Sequence, residues 1–168
     1  SSRLSIYNEG DVVLYGRNSV GVKTAGATAN TLTNSKLVLK TPVRINGHSS
    51  IGVELAQIMD SGYGNLTAGQ YDPQAAEIRV TIGDEKNRYA GNAAGNDENF
   101  VEGAIGLYVN NASLNYRIKD YELLFGDYAK NSSLAYISKG TLTLDNDEYS
   151  VININKGIDN TGIIVDSS

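Results

Sequence analysis

The residues that could support hydrolytic or lyase chemistry are three groups of neighbouring carboxylates. They are Asp84 with Glu85, Asp97 with Glu98, and Asp145 with Asp147 and Glu148. Paired carboxylates can hydrolyse a glycosidic bond, and clustered carboxylates can bind calcium. All three groups lie among Asn, Gly and other turn residues, where a solvated charge is the ordinary role of an acidic side chain. We therefore expect neither a catalytic carboxylate nor a metal site.

Nucleophilic catalysis has even fewer candidates. His48 is the only histidine, so a Ser-His-Asp arrangement would have to use it, yet it lies at a corner in RINGHSS. Cysteine is absent, which excludes disulfides and thiolate metal sites. The calcium-binding nonapeptide, a D-x-D-x-D-G loop and a nucleotide-binding glycine motif are absent as well. The sequence predicts a protein that is not an enzyme and has no cofactor.

The composition argues against a nucleic-acid partner and against a membrane-spanning segment. The net charge is -5, and the 14 Lys and Arg residues nowhere form a basic run, so we expect no nucleic acid partner. No stretch approaches the apolar length of a membrane span, and the first residues lack the pattern of a signal peptide. With 168 residues and 40% hydrophobic content, the chain is long enough for one sizeable core, so we expect a single unit over residues 1–168.

The elements that position these residues are predicted to be short strands. Segments such as KLVLK, EIRVTIG, LNYRIK and TLTLD alternate apolar with polar residues and are separated by Asn, Gly and Asp. The best helix candidate is VELAQIMD at residues 53–60, which is long enough for only about two turns. The pattern therefore indicates an all-β protein.

A repeated phrase sets the order of the strands. NSVGV returns as SSIGV, GAIGL, SSLAY and TGIIV, and its aliphatic positions are Val20, Ile51, Ile105, Leu134 and Ile163. Their spacings are 31, 54, 29 and 29 residues, and the clearest periods hold three strands each. Three strands per period are typical of a right-handed parallel β-helix, here a solenoid of about five coils. Two insertions, at residues 57–76 and 84–100, interrupt the period.

The repeat also predicts which side chains face the core. We expect the five aliphatic residues to form an inward ladder, with Gly21, Gly52, Gly106 and Ala135 as a column of small residues facing outward. The Ser and Asn residues that precede the aliphatic position should hydrogen-bond to the backbone of the corner.

The insertions are the predicted binding surfaces, because long excursions from a rigid repeat commonly carry binding groups. Aromatic residues and arginine contribute most to contact energy. The candidate ligand- or partner-binding residues are Tyr63, Tyr71, Arg88, Tyr89 and Phe100. The alternative is that both insertions are tolerated loops that only cover part of the coil.

The sequence resembles the passenger domains of bacterial autotransporters, the type V secreted proteins. The resemblance rests on the phrases GRNSVGV and GHSSIGV, on Asn- and Gly-rich corners and on the absence of Cys and Trp, and it covers nearly the whole chain. It implies a place on the bacterial cell surface or outside the cell. The chain departs from the family in having no visible C-terminal barrel and no N-terminal signal, so we interpret it as a segment of a longer passenger.

The resemblance implies a virulence-associated adhesin or scaffold, whose partner is a host or bacterial cell-surface protein or a glycan. The alternative is a carbohydrate-active β-helix enzyme, a polysaccharide lyase or hydrolase, which would bring carboxylates together on one face of neighbouring coils. A truncated coil exposes strand edges, so we also expect end-to-end self-association or coverage by flanking coils.

Overall fold

The computed structural model describes residues 5–8, 10–24, 36–55, 76–88, 99–111, 115–145 and 148–167. These residues form seventeen β-strands and no helix. None of the described segments is a helix that is long and apolar enough to cross a membrane. The all-β prediction is confirmed for this part of the chain.

The chain contributes strands to the same sheets several times along its length, and we call each such set of consecutive strands a pass. Pass one contains β1 (Ser5–Asn8), β2 (Val12–Leu14) and β3 (Val20–Thr24). Pass two contains β4 (Lys36–Leu39), β5 (Val43–Ile45) and β6 (Ile51–Leu55). Pass three contains β7 (Ala76–Glu77), β8 (Arg79–Ile82), β9 (Val101–Glu102) and β10 (Ile105–Asn110).

The last two passes follow without a long interruption. Pass four contains β11 (Asn115–Ile118), β12 (Glu122–Phe125), β13 (Ala129–Lys130) and β14 (Ser133–Ser138). Pass five contains β15 (Thr141–Leu144), β16 (Val151–Asn153) and β17 (Thr161–Asp166).

Each described strand pairs in parallel with a counterpart in a neighbouring pass, but β7 and β11 do not pair with each other, and β13 has only the bridge from Lys130 to Ile158 on its pass-five side. The two five-stranded sheets run β2-β5-β8-β12-β16 and β3-β6-β10-β14-β17, and smaller sheets run β1-β4-β7, β11-β15 and β9-β13. The protein is therefore built from parallel strands in stacked sheets, and each long sheet gains one strand per pass. We call residues that pair in register across successive passes a row.

The helix predicted at residues 53–60 is wrong where it is described. Residues 53–55 lie in β6, paired with β3 on one side and β10 on the other. Backbone pairing on both edges outweighs the weak helical pattern of this short segment. Residues 56–60 lie outside the described residues.

The core is made of apolar rows. One row contains Val12, Val43, Val80, Leu123 and Ile152, and its three central members are fully buried. A second row contains Val22, Val53, Leu107, Ala135 and Ile163, and again the central three are fully buried. Each central residue of these rows is covered by the pass before it and the pass after it.

The predicted inward ladder is wrong. Val20, Ile51 and Ile105 do pair in one row, but that row continues with Ser133 and Thr161 rather than with Leu134 and Ile163. Val20 is 39% exposed and Ile163 is 43% exposed. Ile51 and Ile105 are half-buried, so Leu134 alone of the five is fully buried. Aligning Leu134 with Ile105 shifts the register by one residue, which exchanges the two faces of a strand.

The glycine column faces the core rather than the solvent. A Cβ atom on Gly52 would lie 3.1 Å from Cδ1 of the core residue Ile45 and 2.8 Å from the carbonyl oxygen of Gly106. A Cβ atom on Gly106 would likewise lie 2.6 Å from the carbonyl oxygen of Leu134. Glycine recurs in the phrase because the backbone of the next pass occupies the space of a side chain.

The corner before each strand of the β3 to β17 sheet holds one residue with positive φ. These residues are Asn18 (56°), Ser49 (54°), Gly103 (68°), Asn131 (47°) and Asp159 (55°). Asn, Asp and Gly tolerate this left-handed conformation better than other residues do. The backbone N–H of each of the first four donates to a carbonyl oxygen of the next pass. This row therefore fixes where every pass turns into the sheet.

Serine side chains complete the corner, as predicted. Oγ of Ser132 accepts the backbone N–H of Ala104 at 3.1 Å and donates to the carbonyl oxygen of Lys130 at 3.0 Å. Oγ of Ser50 accepts the N–H of Ser19 at 3.1 Å and donates to the carbonyl oxygen of Gly16 at 2.9 Å. These buried hydroxyls satisfy backbone groups that the turn leaves unpaired.

Candidate functional site

The candidate site is the stem of the insertion at residues 84–100. The insertion leaves β8 at Ile82 and returns at β9, which begins at Val101. Its two described ends meet where the backbone N–H of Asn87 donates to the carbonyl oxygen of Asn99 at 3.2 Å. Residues 89–98 lie outside the described residues.

One side of the stem is held by an arginine that binds two carboxylates. Nε of Arg44 donates to Oδ2 of Asp84 at 2.6 Å, and its Nη2 donates to Oε2 of Glu85 at 2.7 Å. Asn46 adds to the clamp, because its Nδ2 donates to Oδ1 of Asp84 at 2.8 Å and its Oδ1 accepts the N–H of Glu85 at 3.2 Å. Pass two thus fixes the first residues of the insertion.

Tyr15 and Arg88 extend this cluster to pass one. The Tyr15 hydroxyl donates to Oε2 of Glu85 at 2.7 Å. The Arg88 guanidinium lies 3.8 Å from the centroid of the Tyr15 ring, and its Nη2 donates to the Tyr15 hydroxyl oxygen at 3.0 Å. A cation over an aromatic face gains electrostatic attraction. The side chain of Arg88 remains 54% exposed, so it keeps a free surface toward solvent.

The hydrogen bonds set the ionisation of this cluster. The Tyr15 hydroxyl holds the pKa of Glu85 below its ordinary value, and Arg44 and Arg88 act in the same direction. The same hydrogen bond raises the pKa of Tyr15 above its ordinary value. Glu85 is therefore an ionised acceptor at neutral pH, whereas a general acid needs a raised carboxyl pKa.

The other side of the stem combines aromatic rings with lysines. Phe100 contacts Tyr128 edge to face, with ring centroids 6.4 Å apart and an interplanar angle of 63°. Nζ of Lys130 lies 5.6 Å from the Phe100 centroid, and Nζ of Lys86 lies 6.0 Å from the Tyr128 centroid. Lys130 also pairs with Glu102 at 3.4 Å. Pass four thus fixes the residue at which the insertion ends.

His48 lies beneath the stem and ties it to the corner. Its Nδ1 accepts the backbone N–H of Glu102 at 3.0 Å, and its Nε2 lies 2.6 Å from Nδ2 of Asn87. The imidazole is 7% exposed, and burial is the main reason that its pKa lies below the ordinary value, with Arg17 adding to the shift. Both ring nitrogens are used within the protein, so the contacts of His48 are those of a structural residue.

The predicted binding residues are partly placed by these contacts. Arg88 and Phe100 both lie at the stem, one on each of its two sides. Tyr63, Tyr71 and Tyr89 lie outside the described residues and stay predictions. Sequence reasoning missed four further residues of the site, because their proximity to the insertion depends on the pairing of distant passes: Tyr15, Arg44, Tyr128 and Lys130.

The acidic groups are only partly described. Asp84 and Glu85 are engaged with Arg44, whereas Asp145 and Glu148 lie near the corner after β15, two passes away. Asp97, Glu98 and Asp147 lie outside the described residues. Within the described ranges, no three His, Cys, Asp or Glu side chains are grouped so that they could hold a metal ion.

A second surface is an open groove on the outer face of the sheet that runs from β3 to β17. It has a volume of about 360 Å³ and is lined by residues that include Gly103, Ile105, Ser133, Tyr136, Thr161 and Ile164. Tyr136 contacts Tyr108 edge to face with centroids 5.5 Å apart, and its hydroxyl donates to Oδ2 of Asp166 at 2.7 Å. The groove is shallow and its tyrosine hydroxyl already has an acceptor, so it is a weaker candidate than the stem.

No family model, curated protein or solved structure matches this chain. The function is therefore inferred from the contacts of the stem with its neighbouring passes.

Proposed function

We propose that the chain is a segment of a right-handed parallel β-helix that acts as a non-catalytic scaffold for adhesion. Parallel pairing of successive passes, which runs through all five passes in the two long sheets, supports the solenoid. Right-handedness follows from the strong preference of parallel crossover connections for that hand. On this proposal, the insertions at residues 57–76 and 84–100 present binding groups from a rigid body.

The observation that carries the proposal is the anchoring of the stem. Residues of passes one, two and four hold both ends of the insertion through ion pairs, a cation over Tyr15 and an aromatic contact. A binding segment held in place loses less conformational entropy when it captures a partner. A loop that only tolerates extra length would need no such anchoring.

The state of the carboxylates favours binding over catalysis. Asp84 and Glu85 both bind the Arg44 guanidinium, and the lowered pKa of Glu85 is the opposite of what a general acid needs at neutral pH. A polysaccharide lyase or hydrolase is the alternative. It would need carboxylates that face an open surface together, whereas the second described acidic group, Asp145 with Glu148, lies on pass five.

We propose a protein or glycan on a host or bacterial cell as the partner, and the outer bacterial surface or the external medium as the location. The resemblance of the GRNSVGV and GHSSIGV phrases to autotransporter passengers supports both. Tyrosine rings and Arg88 near the stem have the chemistry that stacks on sugars and pairs with acidic groups.

The test is a glycan-array and cell-binding assay of the chain and its variants. Arg88→Ala and Phe100→Ala should each weaken binding about tenfold or more, as expected of contact residues with aromatic or guanidinium groups. Tyr149→Ala is the matched control, because Tyr149 is 67% exposed but lies on pass five. Binding that is unchanged in Arg88→Ala, Phe100→Ala and the Tyr63, Tyr71 and Tyr89 alanine variants would overturn the proposed site.

Catalysis is tested separately. Polysaccharide cleavage that disappears in Asp84→Asn would show that the scaffold proposal is wrong and would support the enzyme alternative.

A further inference from the structure

The groove on the outer face of the sheet from β3 to β17 contains a buried hydroxyl with no partner. Ser133 lines the groove in pass four and is only 4% exposed. Its backbone N–H donates to the carbonyl oxygen of Ala104, but its hydroxyl has no hydrogen bond with any described residue. The neighbouring Ser132 uses its hydroxyl both as donor and as acceptor. Because buried polar groups are normally hydrogen-bonded, the partner of the Ser133 hydroxyl has to come from the groove.

Further polar side chains surround Ser133. Asn131, Asp159 and Thr161 line the groove and are exposed, and their side chains make no hydrogen bond within the part of the chain that the structure describes. The described residues of the lining include no Lys or Arg. The groove therefore offers hydroxyl, amide and carboxylate groups without a cation to pair with an anionic ligand. This chemistry suits a ligand with several neutral hydroxyl groups.

Tyr136 supplies an aromatic ring to the lining, and two contacts hold that ring in place. Tyr108 contacts it edge to face with ring centroids 5.5 Å apart, and its hydroxyl donates to Oδ2 of Asp166 at 2.7 Å. A ring that is already held needs little ordering when a ligand stacks on it. Ile105 and Ile164 add apolar surface. Apolar surface beside unpaired polar groups matches a sugar ring, which has C–H groups on its faces and hydroxyls at its edge.

The position of the groove argues against an extended peptide as the ligand. The lining comes from passes three, four and five, and its central strand β14 is paired with β10 on one side and β17 on the other. The backbone groups of β14 are therefore engaged within the sheet, whereas a peptide that adds as a strand needs an open edge. The volume of about 360 Å³ lies near the lower end of the range for small-molecule sites, about 300 to 1,000 Å³.

We propose that this groove binds one neutral sugar unit, with the sugar ring stacked on Tyr136 and a sugar hydroxyl hydrogen-bonded to Ser133. Asn131, Asp159 and Thr161 offer the further polar contacts that orient the sugar. A single unit has few atoms and the groove is open, so the dissociation constant should be on the order of 1 mM. This site is separate from the stem, and either can fail alone.

Saturation-transfer-difference NMR of the unmodified chain tests the proposal. The probes are the methyl glycosides of galactose, glucose, mannose and N-acetylglucosamine at millimolar concentration, with N-acetylneuraminic acid as the anionic comparison. At least one neutral glycoside should receive saturation, and N-acetylneuraminic acid should receive less. A chain that binds none of the neutral glycosides, or binds N-acetylneuraminic acid more tightly than all of them, would overturn the proposal.

Two positions test the assignment of the sugar to the groove. Tyr136→Ala should abolish the saturation transfer, whereas Tyr136→Phe keeps the ring and should retain most of it. Ser133→Ala should weaken binding about fivefold without lowering the thermal unfolding midpoint, because it removes a hydroxyl that has no partner in the protein. A purely structural hydroxyl would give the opposite result, with lost stability and unchanged binding.

The matched control is Tyr149→Ala, which removes an exposed tyrosine that does not line the groove and should bind like the unmodified chain. Sugar binding that survives both Tyr136→Ala and Ser133→Ala would overturn the proposal. Binding that is lost in Arg88→Ala but kept in Tyr136→Ala would overturn it too and would assign the sugar to the stem.

Discussion

The middle and last passes contain similar side chains in very different surroundings. Leu123 and Ile152 pair in one row, yet Leu123 is 0% exposed and Ile152 is 40% exposed. The difference does not come from the residues themselves, since both are aliphatic and of similar size. It comes from the number of passes that cover them, so burial in this protein is a property of position along the stack.

The largest effect should come from truncating the two members of that row. Leu123→Ala should reduce the free energy of unfolding by about 2 to 5 kcal/mol, because it removes packed atoms and leaves a cavity. Ile152→Ala should cost only about 1 kcal/mol or less, because solvent already reaches the side chain. Urea denaturation of both variants measures the difference. Equal losses would show that pass five is covered in solution.

Glycine substitutions give the next largest contrast. Gly52→Ala should destabilise the protein by about 1 to 3 kcal/mol, because the new Cβ would overlap the backbone of pass three. Gly162 has the same place in pass five, where a Cβ would meet only Cγ2 of Ile154 at 3.5 Å. Gly162→Ala should therefore be neutral or stabilise by up to about 1 kcal/mol. Thermal unfolding of both variants tests this, and a large loss for Gly162→Ala would contradict it.

His48 makes the middle of the molecule sensitive to acid. Its folded pKa lies below the ordinary value of 6.5, so protons bind the unfolded chain more strongly. The stabilisation is complete above that value and should be lost as pH falls from it toward the lowered folded pKa. Protonation would also abolish the acceptor that Nδ1 offers to Glu102 N–H, and Arg17 nearby adds repulsion.

Denaturation at a series of pH values measures this effect, with His48→Gln as the variant for comparison. The stability of His48→Gln should depend less on pH in that interval, since glutamine does not titrate. An identical pH dependence in both proteins would assign the acid sensitivity to other groups.

The smallest effect concerns Tyr136, which contacts pass five. The hydrogen bond to Asp166 raises the pKa of Tyr136, so its contribution to stability is present at neutral pH and is lost as pH rises through the raised value. Asp166→Asn should lower that pKa. Titration of phenolate absorbance, with Tyr136→Phe to assign the signal, measures it. A curve that Asp166→Asn leaves unchanged would mean that the hydrogen bond does not form in solution.

The sequence was sufficient to predict that the described residues form β-strands, because alternation and turn residues are local signals. It was not sufficient to predict which face of the strands that contain the NSVGV phrase is buried. Leu134 resembles Ile105 in type, but Ser133 is the residue that pairs with Ile105. Counting from Asn131, which has positive φ like Gly103, would have placed Ser133 correctly.

The sequence predicted only those residues of the candidate site that lie in the insertion itself. Aromatic and arginine content singled out Arg88 and Phe100 near the ends of the insertion. Their contacts, Tyr15 and Tyr128, are 73 and 28 residues away in the chain and become neighbours only through strand pairing. Such partners depend on exact register, which composition and alternation do not provide.

The positive-φ corner residues set the register of the strands that follow them. Asn18, Ser49, Gly103, Asn131 and Asp159 are separated by 31, 54, 28 and 28 residues, yet the strand that follows each one pairs in the same register. Extra residues inserted before a corner residue leave the register of the following strand unchanged. One residue inserted after the corner residue would exchange the two faces of that strand. New loops can therefore be grafted between Arg88 and Asn99 while the β10 row keeps its alignment.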